Sequence, residues 1–138
     1  MKKVVFLCLL LLLTFGNTAT AANWQYGITT DNGTYIFFDG DTININQNGC
    51  LDVWVNCIFS KTKNPNRENQ IIHQEYDVVV RKFRLLNIYT YDKNGNQINK
   101  NTGATKWVEI VPGSYAETLY KTISRYYIDK TKRETQTL

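Results

Sequence analysis

The chain predicts an α+β fold, a small antiparallel β-sheet of five to seven strands with one C-terminal α-helix packed on it. Three observations predict it. Short β-type runs alternate with Asn-, Gly- and Asp-rich turns along most of the chain. Apolar residues recur at helical spacing only near the C-terminus. The 138 residues, 43% apolar and 20% charged, allow one globular domain and have neither a disordered nor a collagen-like composition.

The first 21 residues stand apart from that fold. Lys2 and Lys3 precede an unbroken apolar run from Val4 to Leu13, and Ala19-Thr20-Ala21 has the small-x-small form of a processing site. Residues 1–21 therefore predict a secretory signal peptide, too short in its apolar part to remain as a spanning helix. Cys8 has no small residues just before it and does not predict lipid attachment. Cleavage before Ala22 leaves 117 residues. It removes Lys2 and Lys3, so 14 cations face 12 carboxylates and the net charge falls from +4 to +2. So small an excess excludes a strong nucleic-acid binder. No later apolar run is long enough for stable membrane insertion once the signal is gone.

Trp24 to Ile28 and Thr34 to Phe38 predict a hairpin through Thr30-Asp31-Asn32-Gly33, since Asn-Gly suits the tight turn. Asn32-Gly33-Thr34 also has the form of a glycosylation sequon, but its turn role explains it. Asp39-Gly40-Asp41 leads into Thr42 to Ile45, and Asn46-Gln47-Asn48-Gly49 turns the chain again. Leu51 to Phe59 is the clearest strand, with Leu51, Val53, Val55, Cys57 and Phe59 on one side. The polar stretch from Lys61 to Asn69, with Pro65, predicts a solvated loop. From Ile71 to Val80, one face carries Ile72, Tyr76, Val78 and Val80, and the other His73, Glu75 and Asp77. Lys82 to Tyr91 is β-rich, but Phe83 and Leu85 fall out of phase with Leu86 and Ile88. That predicts a bulge or a strand buried on both sides. Asp92 to Asn96 is a turn, followed by a polar stretch to Thr105 and a last short strand from Lys106 to Val111.

The helix begins after Pro112-Gly113. Ser114 and Glu117 have capping-box spacing, and Ala116, Leu119, Tyr120, Ile123 and Tyr127 share one helical face. Glu117 and Lys121 form an i,i+4 pair in the favourable order. Residues 129–138 are polar and predict a frayed tail, which leaves residues 22–128 as the folded domain.

Chemistry-bearing residues are few. The two cysteines of the mature chain, Cys50 and Cys57, lie about 23 Å apart if the strand between them is extended. A bridge needs roughly 7 Å or less, so either both are free thiols or Cys50 pairs between chains. Cys57 shares the parity of the core residues. His73, Glu75 and Asp77 project the same way at roughly 6.6–7 Å intervals and offer a metal or acid/base site. The polar outer face of an amphipathic strand explains them as well, since a metal site needs further converging ligands. The turns at Asp39 and Asp92 lack the oxygen-ligand spacing of a calcium loop. No nucleophile elbow, paired Cys-His arrangement or phosphate-cradling loop occurs, so no cofactor is expected and the chain does not read as an enzyme. Arg81-Lys82-Phe83-Arg84 is the densest positive spot. As a strand it places Lys82 and Arg84 on one face and Arg81 with Phe83 on the other. It suits an acidic protein segment or a sulfated polymer, or serves to protect an edge strand by charge.

Asn23-Trp24, Tyr35-Ile36-Phe37-Phe38-Asp39 with Thr42-Ile43, Val53-Trp54-Val55, Arg81-Lys82-Phe83-Arg84-Leu85-Leu86, and Trp107-Val108-Glu109-Ile110-Val111-Pro112-Gly113-Ser114 with Glu117 and Leu119 occur in that order. Together they resemble the surface-adhesin protein E family over nearly all of the mature chain. The resemblance implies a small antiparallel sheet with a C-terminal helix packed on it. It further implies a bacterial cell-envelope protein, often dimeric, in some members an adhesin that binds host matrix proteins. Members usually carry a disulfide between the central strand and the C-terminal helix, where this chain has Val78 and Ser124. On these grounds the expected function is that of an exported, non-enzymatic module at the periplasm, cell surface or exterior. It would bind a host extracellular-matrix or serum protein through Arg81, Lys82 and Arg84, with a homodimer as a further expectation. The rivals are a periplasmic or envelope accessory or structural module with no host ligand, its partner then being another envelope protein, and a small metal-dependent enzyme using His73, Glu75 and Asp77.

Overall fold

The computed structural model describes residues 21–60 and 66–137, so all but the last residue of the expected signal segment lies outside it. Eight strands form one antiparallel sheet: β1 (Trp24–Thr29), β2 (Tyr35–Asp39), β3 (Asn44–Ile45), β4 (Leu51–Ile58), β5 (Asn69–Asp77), β6 (Lys82–Tyr91), β7 (Gln97–Asn101) and β8 (Val108–Glu109). Their lateral order is β1-β2-β4-β5-β6-β7; β3 pairs with β4, and β8 with β6. A single helix, α1 (Tyr115–Gln136), follows the last strand. This is the α+β arrangement expected, with six strands of five or more residues and two of only two.

One face of the sheet makes the core. Phe38, Val53, Val55 and Tyr76 alternate inward and pack with Ile43, Leu51 and Ile110 against Leu119 and Ile123 of α1. Burying each such side chain contributes about 1.5–3 kcal/mol. Gly27 lets the helix come this close: a Cβ there would lie 2.7 Å from Leu119 Cδ1 and 2.9 Å from the Ile36 carbonyl oxygen. The register of β1 against β2 shifts at the same place, between Tyr26 and Ile28. Gly33, at φ 80°, closes the expected first hairpin, with Thr30 N–H donating to the Thr34 carbonyl.

The expected irregularity in β6 is a bulge. His73 pairs with Asn87 and Gln74 with Leu85, so Leu86 is the extra residue. Its effect is to return Asn87, Tyr89 and Tyr91 to the face that Lys82 and Arg84 occupy.

Four expectations need correction. The strand read as reaching Val80 ends at Asp77, because Asp77 Oδ1 accepts from the Val79 and Val80 N–H groups and folds residues 78–81 into a turn. Arg81, read as a strand residue on the Phe83 side, closes that turn at φ 55°. Asn69 and Gln70 belong to β5, paired with Ile58 and Cys57, while residues 61–65 of the expected loop lie outside the description. The polar tail is helical as far as Gln136. Lys130 pins that extension by donating from Nζ to the Gly40 and Asp41 carbonyls at 3.0 and 3.1 Å. No helix among the described residues is long and apolar enough to cross a membrane.

Candidate functional site

The β5–β6 turn stands at one end of the sheet and exposes apolar side chains. Val79 is 86% exposed and Val80 56%, in succession with Val78. Three successive exposed valines are unusual on a soluble surface unless they meet something. The turn that carries them is fixed at both ends, by Asp77 as above and by Arg81. Arg81 Nη2 donates to Glu117 Oε1 at 2.8 Å and so ties the turn to the start of α1. Val108 and Val111 are exposed beside it, since β8 pairs with Lys82 and Phe83 and the Ile110 N–H donates to the Arg81 carbonyl. On the helix side Val78 lines an apolar hollow of about 260 Å³ with Ile45, Leu51, Tyr120, Ser124, Tyr127 and Ile128. Ser124 Oγ is buried in the described structure without a hydrogen-bond partner. The two positions at which the resemblance places a bridge, Val78 and Ser124, thus share one hollow.

Glu117 organises the charges at this end. Ser114 Oγ accepts from the Glu117 N–H, as the capping-box spacing predicts. The reciprocal bond reaches one residue further back, with Gly113 N–H donating to Glu117 Oε2 at 2.9 Å. That bond, with the Lys121 and Arg81 heads, pulls the Glu117 carboxyl from 4.5 down to about 2.

The three cations singled out in the sequence separate into different roles. Arg81 is exposed in the turn and paired with Glu117. Lys82 opens β6 and has no ion-pair partner among the described residues. Arg84 shares its face, as parity predicts, but its Nε donates to Glu75 Oε1 at 2.5 Å. The Trp107 ring covers the Arg84 guanidinium at 4.6 Å.

His73, Glu75 and Asp77 do not assemble a site, and Glu75, although on the outer face of its strand, is shut off from solvent. Glu75 is 2% exposed, held by Arg84 and by Asn46 Nδ2, which donates to Oε2 at 2.7 Å. A carboxylate so buried persists because both oxygens are paired. His73 instead donates from Nε2 to Asp52 Oδ1 at 2.7 Å, and Asp77 is committed to its turn. Among the described residues no three His, Cys, Asp or Glu side chains are placed to hold a metal.

Cys50 and Cys57 are both free thiols. Burial pushes Cys57 up to about 11, and burial together with the Glu75 and Asp77 charges raises Cys50. Neither is poised to react at neutral pH.

The sheet face away from α1 was not singled out in the sequence. Its central row runs Tyr26, Phe37, Asn56, Ile71, Tyr89 and Lys100 through directly paired positions of six strands. Trp54 lies next to that row, stacked on His73 at 4.6 Å and 10°, with Tyr89 at 6.2 Å. Parity carried the signal, because Asp52, Trp54 and Asn56 alternate with the core residues of β4.

The family model described as Surface-adhesin protein E matches residues 24–123, spanning every strand and the first nine residues of α1. No curated protein and no solved structure shows significant similarity to the chain.

Proposed function

Because the chain belongs to the surface-adhesin protein E family, we propose that it is an exported, non-enzymatic envelope protein that binds a host extracellular-matrix or serum protein through the β5–β6 end of its sheet. The observation that carries this reading is the anchored turn presenting Val78, Val79 and Val80 beside Arg81 and Lys82. Burial of the valines supplies affinity. The cations orient an acidic partner and raise the association rate, an effect screened over about 8 Å at physiological salt. Lys82 is the cation most available to a ligand, and Arg84, held by Glu75, positions the strand and Trp107.

The test is capture from a panel of immobilised matrix and serum proteins, followed by kinetics on whichever binds. Val79→Asp should weaken binding at least tenfold, mainly through dissociation. Lys82→Glu should weaken it several-fold, mainly through slower association. Lys132→Glu with Arg133→Glu, exposed late in α1, should change little. Equal losses from tail and turn would reduce the interaction to nonspecific charge. Sedimentation of the same preparations tests the homodimer, which Val79→Asp would also disrupt if two copies met at this end.

A further inference from the structure

We propose that the sheet face opposite α1 is a second binding surface and takes an uncharged glycan chain. Four half-buried rings, Phe37, Trp54, His73 and Tyr89, stand on this face, and the exposed Tyr26 packs edge-on to Phe37 at 6.1 Å. Half-buried amides alternate with the rings. Asn69 Nδ2 donates to Asn56 Oδ1 at 3.0 Å, which orients both groups and leaves the Asn56 amide protons and the Asn69 carbonyl oxygen for an outside partner. His73 is locked between Asp52, to which its Nε2 donates, and Asn87, whose Nδ2 donates to Nδ1 at 3.4 Å.

The charges at the centre of this face are compensated within the protein, and Lys82, at its β5–β6 end, stands outside the ion pairs of the described residues. Asp52 is bonded to His73 and Glu75 is paired with Arg84, while Lys100 sits at the far edge with its ammonium 5.7 Å from the Tyr89 ring centre. What remains is flat apolar ring surface interleaved with fixed neutral donors and acceptors.

That chemistry discriminates among partners. A nucleic acid requires unpaired cations for its phosphates. A lipid surface would strip water from the amides without replacing their hydrogen bonds. A strongly charged polypeptide or sulfated polymer finds no free counter-charge in the centre of the face. A neutral sugar ring, with an apolar C–H face and a rim of hydroxyls that both donate and accept, matches rings and amides together. The rows cross six strands, so an extended oligosaccharide fits better than a single sugar. Trp54 and Tyr89 are the stacking surfaces, and Asn56, Asn69 and Asn87 meet the hydroxyls.

The experiment titrates the full chain with cellohexaose, maltohexaose and chitohexaose, and with a heparin-derived hexasaccharide as the charged comparison. Binding is read by calorimetry and by the Trp54 indole resonance. At least one neutral hexasaccharide should bind saturably and shift that resonance. Trp54→Ala should weaken it more than tenfold and Trp54→Phe much less, with Asn56→Ala and Asn87→Ala each costing several-fold. If Trp54→Ala fails to fold, Trp54→Phe and the two asparagine variants decide. Lys82→Glu and Val79→Asp should leave glycan binding unchanged, which separates this proposal from the docking end described above. Failure of all three neutral probes at millimolar concentration would overturn it. So would binding of the heparin fragment alone, or loss of a protein ligand in Trp54→Ala without any neutral glycan binding.

Discussion

Arg84 is both a cation on a candidate binding strand and the counter-charge of a buried carboxylate. The second role explains why Glu75 tolerates 2% exposure. Arg84→Ala is expected to destabilise the fold by about 2 kcal/mol, less than the roughly 3–5 kcal/mol of a fully buried pair because the arginine head keeps contact with water. The midpoint of urea unfolding measures it, and a loss within error would contradict the pairing. Glu117 makes a pH-dependent contribution of definite sign. Its folded carboxyl is depressed to about 2 from 4.5, so the stability it supplies is complete above its unfolded value. It is lost as pH falls from about 4.5 through 2. Glu117→Gln should flatten thermal stability across that window while leaving pH 7 unfolding to reflect the lost ion pairs alone. The capping and Lys121 pairing of Glu117 were legible in the sequence, but the Arg84–Glu75 pair was not. Single-strand parity put Glu75 on the outer face, correctly, but could not show that Asn46, Arg84 and Trp107 close over it from other segments.

At the scale of elements, the alternation of β4, the first hairpin, the bulge in β6 and the cap of α1 were all legible, because each depends on residues close in sequence. The β5–β6 turn was hidden because Val78-Val79-Val80 has strand composition while one carboxylate, Asp77, bends the backbone. Strand β7 was hidden for the opposite reason: Gln97 to Asn101 is polar and exposed, and it is a strand only because β6 offers an open edge. The helix extends past Asp129 because tertiary contacts, among them Lys130 on the Gly40 and Asp41 carbonyls, hold what composition alone would let fray. The shared hollow of Val78 and Ser124 leads to a test of the turn–helix packing. Val78→Cys with Ser124→Cys should oxidise within the chain. The closed loop of about 47 residues would add at most roughly 4 kcal/mol, read as a raised melting temperature lost on reduction. Val79→Cys with Ser124→Cys should not close, because Val79 points into solvent. Cross-linking of that control in preference to the first pair would place the turn one residue out of register.

For the whole molecule, the two surfaces proposed to bind partners are distinct. The helix covers one face of the sheet, the opposite face stays open, and the β5–β6 turn finishes one end with exposed aliphatic side chains. The proposed export predicts that the secreted or envelope form begins at Ala22 or Asn23 by mass spectrometry; retention of Met1 would contradict export. The family was legible from ordered local motifs, whereas the docking end emerges only when β5, β6, β8 and α1 are brought together. The most direct test of the docking claim is hydrogen exchange of the protein with and without the matrix or serum protein it captures. Slowed exchange is expected at residues 78–82 and 108–111, with the late helix unchanged. Protection confined to the late helix or to the outer sheet face, with the β5–β6 turn exchanging as freely as before, would contradict it.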